Sequence, residues 1–317
     1  MPEFDLIARI HARAATRRDV LLGIGDDAAI LRVPPDRDLV VAMDTLNSGV
    51  HFPEDTAPAD IGWKALAVNL SDLAAMAATP AWCTLSLSLP QPDAAWVDGF
   101  LDGFLALATQ HEVALVGGDT TRGPLSICVT AHGLVDPRGA LRRKGARVGD
   151  DVWVTGTLGD AAGALRQWQA GGAFDPALRA RLDRPTPRVA AGRALAGIAG
   201  ACIDVSDGLL ADLGHVCRAS RVGAVLDVDA LPASDALRCA FDRETVRVLQ
   251  SAGGDDYELC FTAPKTARLA LESALFACDV PATRIGRITA EAVVIQLHDA
   301  DGAAWSPPRR GYEHFGS

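Results

Sequence analysis

Six short acidic clusters with small neighbours stand out along the chain. They are Gly25-Asp26-Asp27, Asp44-Thr45, Asn69-Leu70-Ser71-Asp72, Gly117-Gly118-Asp119-Thr120-Thr121, Asp204-Val205-Ser206-Asp207-Gly208 and Gly253-Gly254-Asp255-Asp256-Tyr257-Glu258. Taken singly, each reads as a turn, because Asp and Gly are common turn residues. Two resist that reading. Asn69 and Asp72 are spaced i, i+3 in an Ala/Leu/Met-rich stretch, so on a helix they share one face. A carboxylate on so apolar a helix is costly unless it is paired or bound to metal. Asp204 closes the apolar run Ala201-Cys202-Ile203, and Asp207 follows at i+3. That spacing predicts oxygen ligands at a strand-to-helix turn, with backbone N–H groups pointing outward. Acids in this number suit a hard ion such as Mg²⁺, which takes a few carboxylates plus water and phosphate. Phosphoryl transfer is the chemistry such ions serve. It needs developing charge neutralised and two oxygens held in line, and positioning and electrostatics supply most of the catalysis. Glycines beside the acids let the backbone approach phosphate closely.

The clusters must be carried by regular elements. Apolar residues at helical spacing predict a short amphipathic helix over residues 4–15. The run 39–43 predicts a buried strand ending at Asp44. Asp60 is expected to cap a long helix over about 61–78, stopped by Pro80. A strand is expected over 82–89, and a helix over 93–111 capped by Asp93. Another strand, 113–116, runs into Gly117-Gly118, and one more covers 125–135. The turn signal Asp136-Pro137-Arg138-Gly139 marks a domain boundary, giving domains 1–137 and 138–317. Beyond it come a strand over 151–155, a helix over 160–170, and further strands and helices to about 296. Strands and helices mix without strict alternation, which argues for α+β layers rather than a doubly wound parallel sheet.

Bulk properties narrow the function classes. The 317 residues suffice for about two domains. With 49% hydrophobic and 22% charged residues, the chain can bury a full core and leaves little room for disorder. The net charge of −10 argues against a nucleic-acid partner, which calls for a basic stripe. It suits anionic phosphates only if cations lie between them and the acids. The cysteines (Cys83, Cys128, Cys202, Cys217, Cys239, Cys260 and Cys278) form no C-x-x-C pair. Neither zinc nor a disulfide framework is expected, and most read as reduced core residues. Met1-Pro2-Glu3-Phe4-Asp5 shows no basic region followed by an apolar stretch, and no run of 18 apolar residues occurs. No signal peptide and no membrane span are expected, which makes the cytoplasm the expected location. The G-x-x-x-x-G-K-[ST] loop, the G-x-S-x-G elbow and the H-E-x-x-H pattern are absent.

In order, the chain carries Gly23-Ile24-Gly25-Asp26-Asp27-Ala28-Ala29, Asp44-Thr45-Leu46, His51-Phe52, Lys64-Ala65-Leu66-Ala67-Val68-Asn69-Leu70-Ser71-Asp72-Leu73-Ala74-Ala75-Met76, Gly117-Gly118-Asp119-Thr120-Thr121-Arg122-Gly123, Asp204-Val205-Ser206-Asp207-Gly208-Leu209 and Gly253-Gly254-Asp255-Asp256-Tyr257-Glu258-Leu259. This series resembles the thiamine-monophosphate kinase family, within the aminoimidazole-ribonucleotide synthetase (PurM-like) superfamily. The resemblance runs from Phe4 to Phe315, and the 69–76 stretch is its most specific part.

It implies a two-domain α+β architecture. The N-terminal domain would bind metal and ATP and supply the strands of a homodimer interface. The α/β-layered C-terminal domain would complete the ATP and substrate site. It also implies direct transfer of the ATP γ-phosphoryl to thiamine monophosphate, giving thiamine diphosphate and ADP with several Mg²⁺ ions. By position, Asp27, Asp44, Asp72, Asp119, Asp204 and Asp207 match the family's metal ligands, and all but Asp204 are also taken as catalytic. Gly118, Asp119, Arg143 and Ser206 match its ATP contacts. His51, Asp255 and Tyr312 match positions near thiamine monophosphate, with Tyr312 expected to stack on a thiamine ring.

Three positions depart from the pattern. Ala42-Met43 replaces a frequent Ser-Thr, so the metal contact at Met43 would fall to a backbone oxygen. Asp255 stands where Glu is common, which would make its substrate contact water-mediated. Ala77 replaces a frequent Gly, a difference read as a packing detail. Alternatives remain open at this point. One is another ATP-using enzyme of the superfamily such as a selenophosphate synthetase, although no Cys precedes Cys83. The others are a non-catalytic Mg-nucleotide-binding protein and a metal-dependent phosphatase.

Overall fold

The structure, a computed structural model, describes residues 3–171 and 174–312. It divides into two units: residues up to Leu73 with Ala78–Arg138, and Ala74–Ala77 with residues from Gly139 onward.

The first unit runs α1 (Glu3–Arg13), β1 (Val20–Leu22), β2 (Ile30–Leu31), β3 (Asp38–Asn47), α2 (Pro58–Ala75, its end passing into the second unit), β4 (Thr79–Leu89), α3 (Ala94–Gln110), β5 (Ala114–Arg122) and β6 (Ser126–Val135). Its four-stranded sheet has the order β3-β6-β4-β5, so β3 is an edge. Strand β4 pairs parallel to β5, and the other pairings are antiparallel. Asp93 caps α3 as expected, its side chain accepting from the N–H groups of Ala95 and Trp96. Helices α2 and α3 touch backbone to backbone at two glycines. A Cβ on Gly62 would lie 2.0 Å from the Phe100 carbonyl oxygen, and one on Gly103 would lie 1.7 Å from that of Ala59.

Four expectations are corrected. Strand β3 is not buried: its residues alternate, and Leu39, Val41 and Met43 are 45%, 54% and 64% exposed. An edge strand covered on one face shows period two rather than a continuous apolar run. Helix α2 begins at Pro58, whose fixed φ suits a first turn, so Asp60 sits within that turn rather than capping it. The helix ends at Ala75, and Ala77 takes a left-handed φ of 59° as the Ala78 N–H bonds back to Leu73. Ala77 is therefore a backbone matter rather than a packing detail, since an L-residue in this conformation costs about 1 kcal/mol where glycine is free. Pro80 lies inside β4, beside a register irregularity that accommodates it.

The second unit comprises β7 (Asp151–Thr155), α4 (Asp160–Gln169), α5 (Pro176–Asp183), α6 (Val189–Ala194), β8 (Ala201–Val205), α7 (Leu209–Ser220), β9 (Gly223–Asp227), α8 (Asp235–Ala240), α9 (Arg243–Ala252), β10 (Glu258–Ala263), α10 (Arg268–Phe276), β11 (Ala282–Thr289), β12 (Ile295–His298) and β13 (Ala304–Trp305). The sheet order is β13-β12-β9-β11-β7-β10-β8, antiparallel except for β9 with β12. Every residue of β7, β8 and β10 is buried, so these strands lie in the interior. The main core joins Val152, Ile203, Leu213, Leu226 and Ile285, and a second packs α4, α5, α8 and α9 around Leu178, Leu237 and Leu249. This mixture is the α+β class expected. All seven cysteines are free. Cys83, Cys202, Cys217 and Cys260 are buried, and Cys239 is exposed. Among the described residues, no helix is long and apolar enough to cross a membrane.

Candidate active site

In the first unit, α2 and β3 bring part of the acidic set together. The amide of Asn69, fully buried, accepts the Asp44 N–H at 3.1 Å and donates to the Ala65 carbonyl at 3.1 Å. Asp72 lies about one turn further along the same helix, and β3 runs past Asp44 to Asn47 rather than ending at it as expected. His51 belongs to the connection between them. Its Nδ1 accepts the Asn47 N–H at 3.0 Å, which in the neutral ring leaves the proton on Nε2. Lys64, 1% exposed, donates from Nζ to the His51 carbonyl at 2.9 Å. The sequence reading missed Lys64 as a positioning group, although a lysine amid Ile61-Gly62-Trp63 and Ala65-Leu66 was its signal. Met43 points to the open face of the sheet, one residue out of phase with Asp44.

Asp27 and Asp119 are exposed, on the 25–27 turn and on β5. Two glycines precede Asp119 for different reasons. A Cβ on Gly118 would lie 1.8 Å from the Leu85 carbonyl oxygen, so glycine there is required by the close β4–β5 approach. Gly117 has nothing within 4 Å of its Cβ position and is the one that leaves open space.

In the second unit three distant segments are joined by backbone hydrogen bonds. The Asp255 N–H donates to the Ser206 carbonyl at 2.8 Å, and the Tyr257 N–H donates to that of Val205 at 2.8 Å. The Tyr312 N–H donates to the Asp207 carbonyl at 2.9 Å. Glycines permit this: a Cβ on Gly254 would lie 2.6 Å from the Ser206 carbonyl oxygen. Ser206, assigned from the sequence to ATP, Asp207, assigned to metal, and Asp255 and Tyr312, assigned to thiamine monophosphate, thus share one neighbourhood, with Asp204 on the adjoining end of β8. Arg143 is exposed, on a loop pinned beside β8 by the bond from the Cys202 N–H to the Arg142 carbonyl at 3.0 Å. The Ser220 hydroxyl bonds to the Arg143 carbonyl and accepts from Gly145 and Ala146.

The turn after β8 corrects one expectation. Its N–H groups do not point outward. Those of Ser206, Asp207 and Gly208 all donate to one oxygen of Asp212, at 3.0, 3.1 and 3.1 Å. Burial, and then the charges of Asp204 and Asp207, push the Asp212 carboxyl up to about 7, although these donors pull it down. Three carboxyl groups are therefore crowded at this turn.

The 253–258 segment has left-handed φ at Asp255 (68°) and Tyr257 (50°). Aspartate tolerates this conformation better than a longer side chain. That is a local reason for Asp rather than Glu at 255, where Oδ1 accepts the Tyr257 hydroxyl at 2.9 Å. Between and after these residues, Asp256 and Glu258 turn inward. Asp256, 2% exposed, accepts the Gly159 N–H at the start of α4, and burial pushes its carboxyl well above the ordinary value. Glu258, fully buried, is held bidentate by Arg188 (2.6 and 2.6 Å), by Arg181 (2.7 Å) and by the Thr155 hydroxyl (2.7 Å). Sequence reasoning missed these arginines. They lie some 70 residues from Glu258 along the chain, and nothing local marks them.

Among the described residues, no three His, Cys, Asp or Glu side chains form a ready metal-holding group.

Known proteins match this chain along nearly its whole length. The N-terminal domain of the AIR synthase related proteins matches residues 25–135, and their C-terminal domain matches residues 147–298. The thiamine-monophosphate kinase of Salmonella typhimurium is 48% identical over 320 residues, covering 99% of this chain and 98% of that protein. A crystal structure of thiamine-monophosphate kinase from Stenotrophomonas maltophilia superposes with a TM-score of 0.88 at 57% identity, covering 96% and 98% of the two chains. The structure of AaThiL complexed with AMPPCP and TMP superposes at 0.78 with 31% identity, covering 98% and 96%.

Proposed function

The chain belongs to the AIR synthase related family, among the thiamine-monophosphate kinases, and from that membership we propose that it phosphorylates thiamine monophosphate with ATP, giving thiamine diphosphate and ADP in the cytoplasm. The observation that carries the reading is the zipped neighbourhood of Ser206, Asp207, Asp255 and Tyr312. In this reading the turn assigned to the nucleotide lies beside the segment assigned to thiamine phosphate, and the backbone bonds between them support it. The related complex with AMPPCP and TMP binds a nucleotide analogue and the acceptor together.

The donor set fits Mg²⁺, being all oxygen and hard, with Asp204 and Asp207 flanking one turn. Asp27, Asp44, Asp72 and Asp119 would be ligands in the first unit, with the Met43 backbone oxygen, and Asp204 and Asp207 in the second. Bound Mg²⁺ neutralises the charge that develops on the transferring phosphoryl group. The protein's own part is positional. Gly118, Asp119, Arg143 and Ser206 hold ATP. His51 offers Nε2–H to the acceptor phosphate, Asp255 lies beside the thiamine and Tyr312 stacks on its ring. The acceptor phosphate, with a second pKa of about 6, is already largely ionised near neutrality, so an oxygen of it attacks the γ-phosphorus without a strong base. Incubation with ATP, Mg²⁺ and thiamine monophosphate tests the reading. Thiamine diphosphate and ADP are expected in equal amounts, and ADP or inorganic phosphate formed without the acceptor would sink it.

We propose further that the chain pairs as a homodimer through β3. This ten-residue edge pairs with β6 without irregularity and shows Leu39, Val41 and Met43 to solvent. Such an edge is a template for another strand. Val41→Asp should shift the species in analytical ultracentrifugation from dimer to monomer, and a wild-type monomer at all concentrations would refute the pairing.

A further inference from the structure

We propose that Asp212 is a positioning residue that turns an anion-binding backbone motif into a cation-binding one; the inference rests on the kinase reading above. Three consecutive N–H groups ahead of a helix make a ready nest for phosphate. Here the nest is filled from within. The N–H groups of Ser206, Asp207 and Gly208 converge on Asp212 Oδ2 at 3.0–3.1 Å, and Asp212 is 3% exposed. The donors are thus spent on an internal carboxyl oxygen, and the turn presents the carboxylates of Asp204 and Asp207 instead of open N–H groups. A phosphate approaching it alone is repelled. A phosphate carrying a divalent cation is not, because the ion meets Asp204 and Asp207.

The same contact fixes the turn's shape. Gly208 sits at a φ of 116°, and a Cβ there would meet the Ala252 and Gly253 backbone at 2.9–3.1 Å, so this backbone has one narrow path. Asp212, the fourth residue of α7, ties that path to a regular helix. Ser206 and Asp207 are both held through their own N–H groups.

The test compares wild type with Asp212→Ala and Asp212→Asn, measuring the KM for ATP, the Mg²⁺ half-saturation and the KM for thiamine monophosphate. Emptying the nest leaves three donors without their common acceptor, the buried one of Gly208 among them, so for Asp212→Ala the two metal-nucleotide parameters should rise roughly tenfold or more. The KM for thiamine monophosphate should change less than about threefold, because only the nucleotide turn has lost its anchor. Asp212→Asn keeps an acceptor oxygen but loses the charge, and should fall between. Formate, a carboxylate small enough for the vacated nest, should lower the raised parameters of Asp212→Ala and leave wild type unaffected.

Unchanged Mg²⁺ and ATP dependence in both variants would overturn the inference. So would a parallel loss of all three parameters that formate does not relieve. If Asp212→Ala shows no melting transition, Asp212→Asn decides by the same split. A wild type that makes no thiamine diphosphate defeats the kinase reading alone. Calorimetric titration of wild type and variants with Mg·ATP then decides the role of Asp212.

Discussion

Helix α2 and the paired turns at 204–208 and 253–258 hold carboxylates by opposite means. Helix α2 is regular, and its polar residues Lys64, Asn69 and Ser71 are buried within an otherwise apolar element that also carries Asp72. Its backbone would keep its course if a functional side chain were removed. The turns of the second unit are irregular, with left-handed residues at Asp255 and Tyr257 and a forced glycine at 208. They keep their shape because buried carboxyl groups brace them: Asp212 under one, Asp256 and Glu258 under the other. The contrast teaches where a change is felt. In α2 it falls on chemistry, whereas in the turns it falls on chemistry and fold together.

Asp72→Asn puts the first half at risk most sharply. Turnover should drop by about a thousandfold, some 4 kcal/mol, as with loss of other preorganised electrostatic groups, while the melting temperature barely moves. Near-normal thiamine diphosphate formation, or a large loss of stability, would erase the distinction.

Arg188→Met probes the second half. Glu258 would keep Arg181 but lose its bidentate partner, and a half-paired buried carboxylate costs about 3 kcal/mol. Urea unfolding should show that loss, and the KM for thiamine monophosphate should rise with it. Stability lost with an unchanged KM would mean that the brace does not reach Asp255.

Asp256→Asn, two residues before Glu258, should cost less than about 1 kcal/mol, because an amide oxygen can still accept the Gly159 N–H. Its signature lies in pH. The folded-state value of Asp256 is raised above 3.8, so the native state holds a proton that the unfolded chain has lost. Stability therefore declines as pH rises from 3.8 toward the folded-state value. The asparagine variant should flatten that part of the stability–pH curve, and an unaltered slope would assign it to other groups.

What the residues announced in advance follows the same division. Local rules found the Asp93 cap, the Asn69–Asp72 face and the turn after β8, since each depends on neighbours a few positions away. Hidden were properties set by distant partners. Arg181 and Arg188 select Glu258 only once β10 is in its sheet. The N–H groups of the 206–208 turn were expected to face a ligand, and only the close approach of Asp212 shows them occupied. Strand β3 was read as buried because its composition is apolar, and composition does not tell an edge from a centre. Pro80 ended a helix in the reading and entered a strand in the molecule, because the register of β4 against β6 shifts there and β5 pairs with β4 only from Trp82 on.

The β3 edge has a consequence for how the protein is made. From Asp38 to Asn47 there is no lysine, no proline and no bulge, the usual guards of an open strand, and its only charged residues are Asp38 and Asp44. Each newly synthesised copy carries an adhesive seam until the seam is covered. Solubility is then a race between correct partners and accidental ones, set by how fast and how hot the chain is produced.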